Sequence, residues 1–227
     1  MKILYEDNHL LGVFKEAGRL VQGDRTGDVT LLTLAKEYLK EKYHKPGNVF
    51  LGLVHRLDRP VSGVVLFAKT SKAASRLAGE FQLRRVTKVY WAVLEGLPDA
   101  LSGTLVSDLV RRGTHTRVAS GQHAKAKRAA LDYQVLAHES VYTLVEVQPS
   151  TGRHHQIRVQ FANMGHPVAG DMKYGSSGAL ADRSIALHAL RLGVAHPVKD
   201  ELVNLEAPPP DGFPWDLFRP AIENRFG

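Results

Sequence analysis

Hydrophobic and polar positions along the chain follow two periods. Near the start, Ile3-Leu4-Tyr5 and Leu10-Leu11-Gly12-Val13-Phe14 are short apolar runs split by Glu6-Asp7-Asn8-His9, and both read as strands. Residues 18–27 are turn-rich. From residue 30 to 43 the period changes: Leu31, Leu34, Ala35, Tyr38 and Leu39 fall at i, i+3, i+4, i+7 and i+8 with Lys and Glu between them, which predicts an amphipathic helix. Pro46-Gly47-Asn48 ends it, and residues 49–54 and 64–68 read as strands. Thr70 or Ser71 caps a second helix with Ala74, Leu77, Ala78 and Phe81 on its apolar face. Residues 87–96 read as a strand with Lys88, Tyr90 and Ala92 on one face and Val89, Trp91 and Val93 on the other. Residues 99–128 carry no clear period and read as loops or hairpins, and strands follow at 129–136 and 143–148. Ile157, Phe161 and Met164 mark a helix that Gly165 and Pro167 close.

Composition narrows the picture. At 227 residues, with 44% hydrophobic and 23% charged positions, the chain suits one well-buried domain spanning 1–227. It has no Cys, so disulfides, thiolate zinc sites and a Cys nucleophile are excluded. No apolar run approaches the roughly 18–20 residues that cross a bilayer. The first residues lack the apolar core of a secretory signal, so the expected location is the cytoplasm. A net charge of +7 suits a polyanionic partner. Arg111, Arg112 and Arg117, with the cluster Lys125, Lys127 and Arg128, are placed to face it or else form an ordinary solvated basic face.

The candidate chemistry lies at His55-Arg56-Leu57-Asp58-Arg59-Pro60-Val61-Ser62-Gly63. An imidazole, a guanidinium and a carboxylate fall within four residues, followed by a turn and a β-branched strand. A carboxylate fixed on a rigid turn is a candidate reactive group; the plainer reading is that Asp58 caps the turn.

This stretch resembles the signature of the RluA family of RNA pseudouridine synthases: His-Arg-Leu-Asp, two variable residues, Ser-Gly, then a strand. The family usually has Thr where this chain has Val61. The Lys88-x-Tyr90 strand is similar to the family's. So are Gly152-Arg153-His154-His155-Gln156-Ile157-Arg158, Gly165-His166-Pro167 and Gly170-Asp171-Met172-Lys173-Tyr174-Gly175. The family usually has Thr at the position of His154 and His at that of Gln160. The resemblance runs from about Ile3 to about Phe218, so the small N-terminal RNA-binding domain of many relatives is not expected.

The resemblance implies an α+β fold: a bent, mostly antiparallel sheet with flanking helices and a central basic cleft. It implies that Asp58 is catalytic, as nucleophile on the sugar or as the base that yields a glycal. Arg158, with Arg153 as runner-up, keeps that carboxylate ionised in a dry pocket. Tyr90 stacks on the uracil and shuttles the C5 proton. Arg56 enters the RNA as the uridine flips out, with His55, Arg153, Lys125, Lys127 and Arg128 as further RNA-binding residues and His55 also orienting the turn. Isomerisation adds no group and changes no oxidation state, so no cofactor or metal is expected. A monomer acting on a compact stem-loop is expected, transfer RNA being favoured over ribosomal RNA because Arg59-Pro60-x-Ser-Gly is similar to a tRNA-modifying branch. The alternative is a non-catalytic RNA-binding protein of the same fold. A metal hydrolase has the 11 His in its favour, but it lacks His-Glu-x-x-His, and on a helix His154 and His155 would point about 100° apart.

Overall fold

The computed structural model describes residues 1–23, 27–121 and 123–227; part of the turn-rich stretch, 24–26, lies outside them. In chain order the elements are β1 (Ile3–Glu6), β2 (Leu10–Lys15), α1 (Leu31–Lys42), β3 (Gly52–Leu53), β4 (Ser62–Ala68), α2 (Ser71–Gln82), β5 (Thr87–Glu95), β6 (Ser102–Arg112), β7 (His115–Val118), β8 (Lys127–Glu139), β9 (Tyr142–Pro149), α3 (Gln156–Asn163), β10 (Leu187–Ala195), β11 (Leu202–Glu206) and α4 (Arg219–Phe226). The fold is α+β, with mostly antiparallel strands and flanking helices. The chain divides into two compact units: Met1–Lys88 with Ala189–Ala207, and Val89–His188 with Pro208–Gly227.

In the first unit the strand order is β1-β2-β4-β10, with β11 on β10 and β3 on β4. β4 is buried at every position, as its unbroken apolar run requires of a central strand. Its core combines Val64, Leu66 and Ala68 with Ala73 and Leu77 of α2 and Val203 and Leu205 of β11. Both helices begin on a threonine cap: Thr30 Oγ1 accepts from Thr33 N, and Thr70 Oγ1 from Ala73 N. The strand expected at 49–54 is only Gly52–Leu53, paired with Ala68 and Phe67. Val49 and Leu51 are buried without joining the ladder, so apolarity there reflects packing and not pairing.

In the second unit the order is β5-β9-β8-β6-β7, each pair antiparallel. The stretch expected as loops or hairpins holds the β6–β7 hairpin and the first two residues of β8, which pairs with β6 to extend the hairpin into a ribbon. Its outer part is exposed on both faces, which erased the alternation that burial would have left in the sequence. α3 is shorter than its flanking motif: residues before Gln156 are not helical, and Gly165 takes φ +88° beyond the C-cap Met164.

Candidate active site

Asp58 stands at the first position of a tight turn, with Val61 N donating to its carbonyl at 3.1 Å. Leu57 beside it is buried, while Asp58 is half-buried and Arg56 exposed. Three anchors hold this turn. The first is Lys15, the last residue of β2 and fully buried. Its ammonium donates to the carbonyls of Val61 (2.6 Å), Arg59 (3.1 Å) and Glu16 (3.0 Å), so all three of its donors are used. Burial pulls Lys15 down to about 7, and the Asp58 charge works against that fall. The second anchor is Arg59, whose Nε donates to Gly18 O (3.0 Å) and whose Nη2 pairs with Asp28 (2.8 Å).

The third anchor is His55. Its ring stacks on Phe81, with centroids 5.0 Å apart, and its Nε2 accepts from Leu66 N inside β4 at 2.9 Å. Burial, then the Lys88 charge, push its pKa down to about 4, so it is neutral at pH 7. These contacts tie His55 to α2 and β4. After the turn, Gly63 has φ +125°, and a Cβ there would lie 2.3–2.7 Å from the backbone of Ala189. Gly63 also faces Lys15 across the β2–β4 ladder. The Gly of the signature is therefore demanded by close backbone approach.

In the second unit, Tyr90 lies half-buried on β5 opposite Val147 of β9. Arg158 projects from α3 and is 5% exposed, which for an arginine requires a partner. Its Nε donates to Asp171 Oδ2 at 2.6 Å and its Nη2 to Asp171 Oδ1 at 2.8 Å, a bidentate pair that fixes the guanidinium plane. Asp171 is 1% exposed. The guanidinium also lies over the Tyr174 ring, 5.1 Å from its centroid. Tyr174 Oη accepts from Thr116 N (3.0 Å) and shares a hydrogen bond with His155 Nδ1 (2.7 Å).

His154 and His155 are not splayed. Their rings stack 3.7 Å apart at 19°, because both precede the helix and His155 takes the left-handed conformation, φ 54°. His154 Nδ1 meets Thr116 Oγ1 at 2.9 Å. Among the described residues no three His, Asp or Glu side chains are grouped to hold a metal.

The basic residues gather at one end of the β7-β6-β8 ribbon. Lys127 and Arg128 open β8 as strand residues, opposite Leu109 and Asp108, and are exposed, as are Arg111, Arg112 and Arg117 on the neighbouring strands and Lys125 before β8. Arg153 joins them: its Nε donates to the carbonyl of Arg128 at 3.1 Å. Lys15, Asp171 and Tyr174 are the site-forming residues that reading the sequence did not assign. A lone lysine closing an apolar strand was the available signal for the first.

The RNA pseudouridylate synthase family matches residues 9–163, which include the Asp58 turn, Tyr90 and Arg158. The chain is 35% identical over 223 residues to the uncharacterized RNA pseudouridine synthase YhcT of Bacillus subtilis, covering 96% of this chain and 70% of that protein. The chain belongs to this family. As an RNA pseudouridine synthase it is an isomerase. It is also 33% identical over 236 residues to ribosomal large subunit pseudouridine synthase D of Zymomonas mobilis, covering 99% of this synthase and 74% of that one. Among solved structures, human RNA pseudouridylate synthase domain containing 4 aligns with a TM-score of 0.80 at 26% identity, over 96% of this synthase and 92% of that chain.

Proposed function

We propose that this synthase isomerises uridine in structured RNA through Asp58. The N1–C1′ bond breaks, the base turns over, C5 bonds to C1′, and the proton leaving C5 is balanced by one gained at N1. Asp58 acts on the sugar as nucleophile or as base. The observation that carries this reading is the turn itself. Lys15, Arg59 and His55 anchor its backbone and leave the Asp58 side chain half-buried at its head. Such rigidity is what a reactive group held to a fraction of an ångström needs.

Arg158 is assigned to keep that carboxylate ionised, Tyr90 to stack on the base and shuttle the C5 proton, and exposed Arg56 to stabilise the flipped state. Lys125, Lys127, Arg128 and Arg153 hold phosphates. For the substrate, large-subunit ribosomal RNA is favoured, because relatives alike over nearly all of this chain are named as ribosomal large subunit synthases. Transfer RNA is the alternative, resting on the Arg59-Pro60-x-Ser-Gly resemblance. A monomer working in the cytoplasm completes the proposal.

The test uses RNA labelled with tritium at uridine C5, since that hydrogen is lost on isomerisation. Asp58→Asn should release no tritium and bind RNA within about twofold of wild type, because phosphate contacts dominate affinity. Release at the wild-type rate would remove Asp58 from the mechanism. Offering ribosomal and transfer RNA fragments side by side decides the substrate.

A further inference from the structure

We infer that Glu95 is a positioning residue for the isomerase site: it closes residues 167–177 into a clamp that presents Asp171 to Arg158. The inference rests on the reading of Arg158 as part of the catalytic machinery.

Glu95 ends β5, the strand that carries Tyr90. Its Oε1 accepts from Ser176 Oγ (2.5 Å), Ser177 N (3.0 Å) and Ser177 Oγ (3.1 Å), and its Oε2 lies 3.0 Å from the same Ser177 N. Its backbone grips the other end of the segment: Glu95 N donates to Pro167 O (2.9 Å), and Glu95 O accepts from His166 Nδ1 (3.0 Å). One residue thus staples both ends of a loop to the end of a core strand.

Inside the clamp everything converges on Asp171. Ser176 Oγ, held by Glu95, accepts from Gly170 N at 2.9 Å. Ser176 N and Tyr174 N both donate to Asp171 O, at 3.1 and 2.9 Å. Gly170 has φ +84°, and a Cβ there would come within 2.8 Å of Leu180 and the Ser184 carbonyl, so the segment is packed as well as bonded. Only one short helical turn, Met172–Tyr174, gives this loop regular structure of its own. Yet it supplies two contacts of the Arg158 guanidinium, the bidentate carboxylate of Asp171 and the ring of Tyr174. A bidentate pair tolerates displacement poorly, so the clamp that sets the Asp171 backbone also sets the Arg158 plane.

Glu95→Gln keeps the shape but turns an amide donor toward the serine donors and opens the clamp. Turnover and RNA affinity are measured for wild type, Glu95→Gln, Asp171→Asn and the double variant. Glu95→Gln should lower kcat about tenfold or more and leave the dissociation constant within about twofold. On the Asp171→Asn background it should cost less than about twofold, because contacts that work through a shared partner do not add. Equal losses on both backgrounds overturn the proposal and reduce Glu95 to a general stabiliser.

Arginine-selective nitrogen NMR gives a readout that needs no activity. The Arg158 Nε–H, slow to exchange when held by Asp171, should exchange about tenfold faster in Glu95→Gln; unchanged exchange overturns the proposal. If exchange rises but wild type isomerises no RNA, the clamp stands and the functional reading falls. Should Glu95→Gln fail to fold, Ser177→Ala removes one exposed hydroxyl donor and must move exchange in the same direction, by less.

Discussion

Replacing Lys15 with Met tests whether the Asp58 turn depends on a buried ammonium. The structure sets two opposing magnitudes. Burial lowers Lys15 from its ordinary 10.5 to about 7, a shift worth about 5 kcal/mol against folding at pH below 7. Met removes that burden but strips the donor from three carbonyls. Val61 is buried, so its carbonyl bears the full cost of about 1–3 kcal/mol, while the flanking Arg59 and Glu16 are exposed and their carbonyls can regain water. Stability at neutral pH should therefore hold or rise slightly, while kcat falls at least about tenfold as the turn loosens.

Linkage supplies the decisive sign. The folded pKa lies below the unfolded one, so between pH 7 and 10.5 the unfolded chain binds the extra proton. Wild-type stability must therefore rise with pH relative to Lys15→Met, by about 1.4 kcal/mol per pH unit. Urea unfolding of both proteins at pH 7.5 and 9.5 should show the difference shift by about 3 kcal/mol. Parallel curves would refute the buried-ammonium argument, and wild-type turnover in the variant would refute the link from Lys15 to the turn.

Three further outcomes are expected. His55, held neutral with a folded pKa of about 4 against an ordinary 6.5, contributes stability that is present above pH 6.5 and lost as the pH falls toward 4, up to about 3 kcal/mol; denaturation at pH 7 and 4.5 should show this loss in wild type and not in His55→Gln. Burial pushes Glu6 up, but donors from Lys42, Tyr43, Lys69 and Tyr38 outweigh it and hold its pKa at about 2. Its contribution is thus present above pH 4.5 and lost on acidification toward pH 2, about 1–2 kcal/mol after solvent screening of Lys42, and an unchanged acid midpoint in Glu6→Gln would contradict it. Changing Lys127 and Arg128 together to Ala should weaken RNA binding across sequences and reduce the slope of log K against log salt by about two, read from titrations at several salt concentrations.

Much of the first unit is legible in the sequence because its signals are local. Helix α1 shows its 3.6 period and its threonine cap, and β4 its unbroken apolar run. What escapes is non-local. Lys15 looks like an ordinary polar strand end until the turn 44 to 46 residues away brings its carbonyls to the amine. Asp171 lies 13 residues beyond Arg158 in a loop without period, so nothing in its neighbourhood marks it as the arginine's partner. In the ribbon β6–β8 the sequence leaves loop and hairpin undivided, because patterning reports burial and the outer strand positions have little. The helical period suggests that His154 and His155 lie on α3, but the helix begins at Gln156, just after them.

Gly63 carries a consequence for how such enzymes can change. The backbone of Ala189 forbids any side chain there, whatever the chemistry at Asp58. Selection for folding alone would keep Gly63 and the buried strand that follows, even after the carboxylate was gone. A single exchange at position 58 could then leave a stable RNA-binding scaffold that still bears most of the signature. Inheritance of the motif and inheritance of the activity are separable, and on the role proposed for Asp58 that position is where they part.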